Sequence, residues 1–199
     1  MKYGELFGSH IIYFTPLTRL HTPTIFVVDM NKLTVKPLTY AYDALEPIIS
    51  KQIMELHHDK HYAGYVNNFN LALDAGKISS FNYNGAIMHE VFWENMRAPM
   101  ENNLPPEGMF PDFEKFKQEF STAALTIEGS GWAVLWKTES GLAIGQLEKH
   151  NLLGLNGATP VLVLDMWEHA FYLDYLNDKK TYVEKWWSVV NWENVSKRI

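Results

Sequence analysis

The stretch Pro160 to Tyr175, PVLVLDMWEHAFYLDY, limits what this chain can fold into more than any other, because it changes character abruptly at Asp165. Val161, Leu162, Val163 and Leu164 form an uninterrupted apolar run, β-branched at alternate positions and opened by a proline. Such a run reads as a strand buried on both faces. A carboxylate emerging from it must be paired, hydrogen-bonded or metal-bound, since an isolated charge there costs several kcal/mol or is neutralised. His169 follows four residues later, in a turn or first helical coil where imidazole and carboxylate can converge on one point. Taken alone the pair reads as a buried Asp–His hydrogen bond, and only the other histidines of the chain raise a metal site as the second reading.

A chain of 199 residues can bury a substantial core as one domain or two small ones. Its 47% hydrophobic, 14% aromatic and 20% charged content fits a packed, aromatic-rich interior. The net charge of -6, with no run of Lys or Arg to neutralise phosphates, argues against a nucleic-acid partner. Cysteine is absent, so any metal must be held by His, Asp or Glu, a set that suits a hard or borderline ion. No stretch approaches the roughly 20 consecutive apolar residues a membrane-crossing helix needs, and the expectation is a cytoplasmic protein without a membrane partner.

Residues 1–30 do not read like the rest. Pro16 and Pro23 interrupt both apolar patches, and no secretory signal with a small-residue cleavage site is present. This extension is expected to be an extra strand or sequence translated upstream of a start at Met30. Residues 31–99 are expected to form a helical hairpin domain and residues 100–199 an α/β domain, with the boundary in Ala98 to Pro111, which holds four prolines.

Within the first part, Ser50 is the N-cap of a long helix that stops near Gly76. His57, His61, Gly64, Tyr65 and Asn68 recur along it at spacings of three and four, which lines them on one face. A core-facing stripe would carry Leu and Ile, whereas this one carries two imidazoles, a phenol and a glycine that would admit a close neighbour. Phe81 to Asn95 predicts a second helix with Ala86, His89, Phe92 and Trp93 on one side. An imidazole among such bulky groups needs a partner for each nitrogen, and a metal on one with a hydrogen bond on the other satisfies it. In the second part, Asp112 caps a helix over FEKFKQEFSTAAL, and Gly131 to Glu148 predicts a β-hairpin around Glu139-Ser140-Gly141. With the strand ending at Asp165 this makes a small antiparallel sheet, and Thr181 to Val195 is expected to be helical and Trp-rich.

Three histidines and one aspartate, drawn from two helices and a strand end, make an N₃O set typical of a redox or Lewis-acid metal centre. The sequence resembles the iron/manganese superoxide dismutases from about Lys36 to Arg198. Asp165-Met166-Trp167-Glu168-His169-Ala170-Phe171-Tyr172 is similar to that family's D-x-W-E-H-A-(F/Y)-Y metal signature. ALEPIISKQIMELHHDKHYAGYVNN (44–68), FNYNGAIMHEVFWENM (81–96), GSGWAVLWKTESG (129–141) and KWWSVVNWENVSKR (185–198) support it, with a flavour closest to archaeal members.

The resemblance implies an α+β fold, a helical hairpin followed by an α/β domain with a three-stranded antiparallel sheet flanked by helices. It implies one iron or manganese ion per subunit, iron slightly favoured, with ligands at His57, His89, Asp165 and His169 and a solvent molecule as fifth ligand. The activity implied is dismutation of superoxide to oxygen and hydrogen peroxide. Tyr65 would stand near the substrate entrance with His61 beside it, and Trp93, Trp132 and Trp167 would wall the site with apolar surface. Glu168 would reach a partner's metal-ligand histidine and Tyr172 its first-helix histidine in a homodimer, with assembly to a tetramer left open. Lys60 and Lys179 are the candidates for steering an anionic substrate toward a net acidic chain.

Two departures from the family pattern stand out. Only 23 residues separate Tyr65 from His89, so the hairpin is expected to be cut down. Gly85, four residues before His89, occupies a place where many members carry a Gln. His150 is then expected to hydrogen-bond the metal-bound solvent instead, with Asn151 as runner-up and Lys149 disfavoured because an ammonium cannot accept. The competing functional readings are a mononuclear non-haem iron oxygenase, which would leave one of the four ligands unexplained, and a metal-free dimeric module with structural histidines.

Overall fold

The computed structural model describes residues 30–199, so the expectation for the N-terminal extension lies outside the described residues. Ser50 caps α1 (Lys51–Leu56), its hydroxyl accepting from the amide of Ile53 at 3.3 Å. The helix then widens into a π-helical turn over His57–Tyr62 before resuming as α2 (Ala63–Asp74), and Gly76 follows at φ 70°. In the wide turn the amide of Ala63 reaches back five residues to the carbonyl of His58. This corrects the uniform α-helical spacing expected here, and π turns of this kind are uncommon and concentrate where a helix is shaped by its site. A short link leads to α3 (Ser80–Glu94), which runs back along α2 and closes a compact helical hairpin. Its Ala86, His89, Phe92 and Trp93 are all buried, as the periodicity predicts.

The proline-bearing segment 98–111 contains no helix or strand. Beyond it lie α4 (Phe113–Leu125), capped by the Asp112 carboxylate, then β1 (Gly131–Thr138), β2 (Gly141–Glu148) and β3 (Thr159–Asp165). The sheet is antiparallel with order β2-β1-β3, so β1 is central, and its residues from Gly131 to Trp136 are all buried. Packing of α3 on β3 brings the ligand candidates of the two halves together, while α4 packs on β1 and β2. A single turn of 3₁₀ helix, Glu168–Ala170, and the short α5 (Tyr172–Tyr175) follow β3.

The C-terminal segment is not one helix. α6 (Lys179–Trp186) runs into a 3₁₀ turn at Trp187–Val189, the chain becomes extended at Val190, and Asn191 caps α7 (Trp192–Arg198). The break has a physical cause. Val190 bridges to Met96 and the amide of Asn191 donates to the carbonyl of Asn95 at 2.7 Å, pairings that a continuous helix would forfeit. No helix among the described residues is long and apolar enough to cross a membrane.

Candidate metal centre

The end of β3 projects the Asp165 carboxylate, with no solvent exposure, toward imidazoles from three other elements. Its Oδ2 lies 3.1 Å from Nε2 of His57 in the π turn, 3.7 Å from Nε2 of His89 on α3 and 3.4 Å from Nε2 of His169 in the 3₁₀ turn. All four candidate ligand atoms fall within 4.8 Å of one another. Two donors each about 2.1 Å from a common ion, at angles of about 90–120°, stand about 3.0–3.7 Å apart, so the three distances from Asp165 Oδ2 suit a single first-row metal.

The hydrogen-bond inventory agrees. Nε2 of His89 and Nε2 of His169 are buried and have no hydrogen-bond partner among the described residues, an arrangement costly in a metal-free core. His89 Nδ1 donates to the carbonyl of Gly85 at 2.6 Å, which fixes the tautomer and leaves the Nε2 lone pair free to ligate. Trp167 donates its main-chain N–H to Asp165 Oδ1 at 2.8 Å and so leaves Oδ2 facing the imidazoles.

Electrostatics set His57, His89 and Asp165 in their ligating forms. Burial pushes the His57 imidazole down to about 4 and holds His89 well below the usual range, so both are neutral at physiological pH. Burial alone would raise the Asp165 carboxyl, but the adjoining His169 and His57 imidazoles outweigh it and hold the group well below the usual carboxylate range.

Aromatic surface closes the site. The ring centroid of Trp93 lies 4.7 Å from His57, that of Trp132 5.0 Å from His89, and that of Trp167 5.6 Å from His169. His61 stacks on His169 with centroids 4.1 Å apart and planes 16° from parallel. Tyr65 sits 5.2 Å from His89, and burial raises its phenol above the ordinary value, so it keeps its proton. Not every polar residue around His57 takes part. His58 turns away to bond the Asp59 carboxylate and the carbonyl of Lys36, each at 2.8 Å. Asn68 is exposed, and among the described residues a side chain at Gly64 would meet nothing within 4 Å, so the close neighbour expected there is not among them.

Of the three residues weighed for the place beside the solvent ligand, Lys149 and Asn151 are exposed whereas His150 is fully buried. Trp132 Nε1 donates to His150 Nδ1 at 3.0 Å, and burial pushes the imidazole down to about 4, so its one proton sits on Nε2. That nitrogen is a buried donor without a partner among the described residues. His150 also stacks on Trp167, with centroids 4.6 Å apart. A Cβ at Gly85 would lie 2.9 Å from Tyr65 Cγ and 3.3 Å from His150 Cδ2, so the absence of a side chain at 85 and the presence of an imidazole at 150 are complementary. Phe81, which sequence reasoning did not single out, completes this wall, 4.8 Å from His150 and 5.9 Å from Tyr65. Its only sequence signal is its place at the start of an aromatic-rich helix.

Glu168 and Tyr172 lie on the surface beside the site, and Leu173 and Leu176 next to them are 55% and 60% exposed.

Comparison with known proteins gives a consistent picture. The family model for the iron/manganese superoxide dismutases, alpha-hairpin domain, matches residues 32–79, and that for the C-terminal domain matches residues 106–198. The chain is similar to the iron superoxide dismutase of Pyrobaculum aerophilum, 45% identical over 199 residues that cover 87% of this chain and 94% of that one. It is 46% identical over 200 residues to the manganese/iron superoxide dismutase of Aeropyrum pernix, covering 87% and 93% of the two chains. The iron superoxide dismutase of Methanothermobacter marburgensis is 41% identical over 187 residues, covering 81% and 93%.

Proposed function

The chain belongs to the iron/manganese superoxide dismutase family, and from that premise we propose that His57, His89, Asp165 and His169 hold the single iron or manganese ion of a superoxide dismutase. The observation that carries the ligand assignment is the convergence of four buried donor atoms within 4.8 Å, two of them without a hydrogen-bond partner among the described residues. Neither a non-haem iron oxygenase nor a metal-free module is supported. The first leaves a fourth ligand without a role, and the second leaves unpaired imidazole nitrogens in the core.

The reaction takes two superoxide anions and two protons to one oxygen and one hydrogen peroxide. A bound iron or manganese ion supplies the one-electron chemistry by alternating between its divalent and trivalent states. The protein's part is to hold the ligands neutral where they must be neutral, to exclude bulk water and to deliver protons. Trp93, Trp132 and Trp167 lower the local dielectric around the single carboxylate, which strengthens its influence on the site. Tyr65 and His150 supply the O–H and N–H donors on the side where Gly85 has no side chain, and so orient a solvent molecule and pass protons to a peroxide leaving the site. Metal analysis of the purified protein, with superoxide consumption measured after reconstitution with each ion, tests this. One ion per subunit with activity restored by iron or manganese is expected, iron slightly favoured. Activity in the fully metal-stripped protein would refute it.

The protein is further proposed to be a homodimer. Glu168, placed immediately before a ligand histidine, would bond an outer imidazole nitrogen of the partner, and the exposed Tyr172, Leu173 and Leu176 would be covered by the same contact. Sedimentation at micromolar concentration is expected to give a dimer that Glu168→Ala weakens. An active wild-type monomer under those conditions would dismiss the idea.

A further inference from the structure

β3 lies at the edge of the sheet, and the groups along its outer side need partners because the strand is buried. The register sets Trp132 opposite Asp165 and Val134 opposite Val163, while the amide of Met166 donates to the carbonyl of Gly131 at 2.9 Å. Since antiparallel pairs alternate between bonded and non-bonded, the peptide groups of Val163 and Asp165 face away from β1. Two side chains meet them. Asn95, just past the end of α3, accepts from the amide of Val163 at 3.0 Å through Oδ1 and donates to the carbonyl of Val161 at 3.1 Å through Nδ2. Tyr182, on α6, donates its hydroxyl to the main-chain carbonyl of Asp165 at 3.1 Å. Both are fully buried, and the Tyr182 ring is stacked on Phe171 with centroids 5.2 Å apart.

We infer that Asn95 and Tyr182 are positioning residues of the metal site, together replacing a fourth strand along the outer edge of β3 and fixing where the Asp165 carboxylate meets His89. Asn95 stands six residues after His89, so its amide ties the end of the His89 helix to the Asp165 strand. Tyr182 acts one step closer. The Asp165 side chain is oriented by the Trp167 amide, and the Tyr182 hydroxyl removes the remaining freedom of the Asp165 peptide to rotate as the strand leaves the sheet. The two contacts satisfy the edge as backbone would, one from the end of the helix that carries His89 and the other from α6, which carries no ligand.

The inference rests on the ligand assignment above, and its test separates the two. Metal-loaded Tyr182→Phe and Asn95→Ala proteins are challenged with a chelator, their reduction potentials are titrated, and both are compared with Phe116→Leu, a core substitution on α4, which carries no ligand. Metal release about 10–100-fold faster than in the wild type is expected in both edge variants, together with a displaced potential. Phe116→Leu should release metal at the wild-type rate even where its melting temperature falls. Wild-type release and potential in Tyr182→Phe would overturn the inference whatever that variant's melting temperature, and this variant decides alone if Asn95→Ala does not fold. In an Asp165→Ala arm, retained metal would refute the ligand set. Lost metal there with wild-type release from Tyr182→Phe would refute the edge role only.

Discussion

Asp165→Ala is expected to yield a protein that carries neither iron nor manganese and does not consume superoxide. The carboxylate is the one anionic member of the set, and without it three neutral imidazoles must hold a di- or trivalent ion in a dry pocket with no charge to balance it. The substitution also strips His57 Nε2 of its partner at 3.1 Å and the Trp167 amide of its partner at 2.8 Å. Leaving such groups buried and unpaired costs about 1–3 kcal/mol each, so some loss of stability accompanies the loss of metal. Asp165→Asn distinguishes the two effects. It keeps the shape and an acceptor for Trp167 but not the charge, and should recover much of the melting temperature while metal content stays low. Full occupancy in Asp165→Ala, measured by elemental analysis, would show that the ion is held elsewhere.

His150→Ala should retain its metal while turnover falls about 10–100-fold and the reduction potential moves, the range typical when a hydrogen-bonding group behind the ligands is removed. Gly85 offers no side chain to bond the solvent, and a Cβ there would collide with Tyr65. The buried Nε2 of His150, unpartnered among the described residues, is the N–H donor on that side, beside Tyr65. Asn151→Ala, altering an exposed residue, serves as the control and should leave both quantities near their wild-type values. Because His150 also accepts from the Trp132 indole, His150→Ala orphans a buried N–H. His150→Gln keeps both a donor and an acceptor, and is expected to recover part of the lost turnover. Wild-type turnover and potential in His150→Ala would mean that another group holds the solvent.

Strong local patterns made much of the fold legible. The apolar run of β3, the Ser50 and Asp112 caps, the Gly131 to Glu148 hairpin and the buried face of α3 follow from the alternation, capping and turn chemistry of contiguous residues. The four residues of the proposed ligand set were legible for a similar reason: a histidine on an apolar helix face and an aspartate ending a buried strand violate the surrounding pattern, and the family signature around Asp165 binds them together.

Features that depend on what packs against what were not legible. The π turn at His57–Tyr62 has helical composition throughout, and only its neighbours decide that it opens by one residue. The break at Val190 comes from a bridge to Met96, 94 positions earlier. Spacing puts His61 on the His57 face but gives neither its stack on His169 nor the turn of the adjacent His58 toward the carbonyl of Lys36. Asn95 and Tyr182 carry no local mark at all, because their partners are main-chain atoms of a strand whose outer edge exists only once the sheet has formed. By itself, then, the sequence determined which side chains could ligate and where most helices and strands lie, since those follow from residue chemistry and short-range periodicity. The aim of each proposed ligand, the tautomer of His89 and the sealing of the edge behind Asp165 were decided by the tertiary structure, because contacts between distant segments have no image in the order of residues.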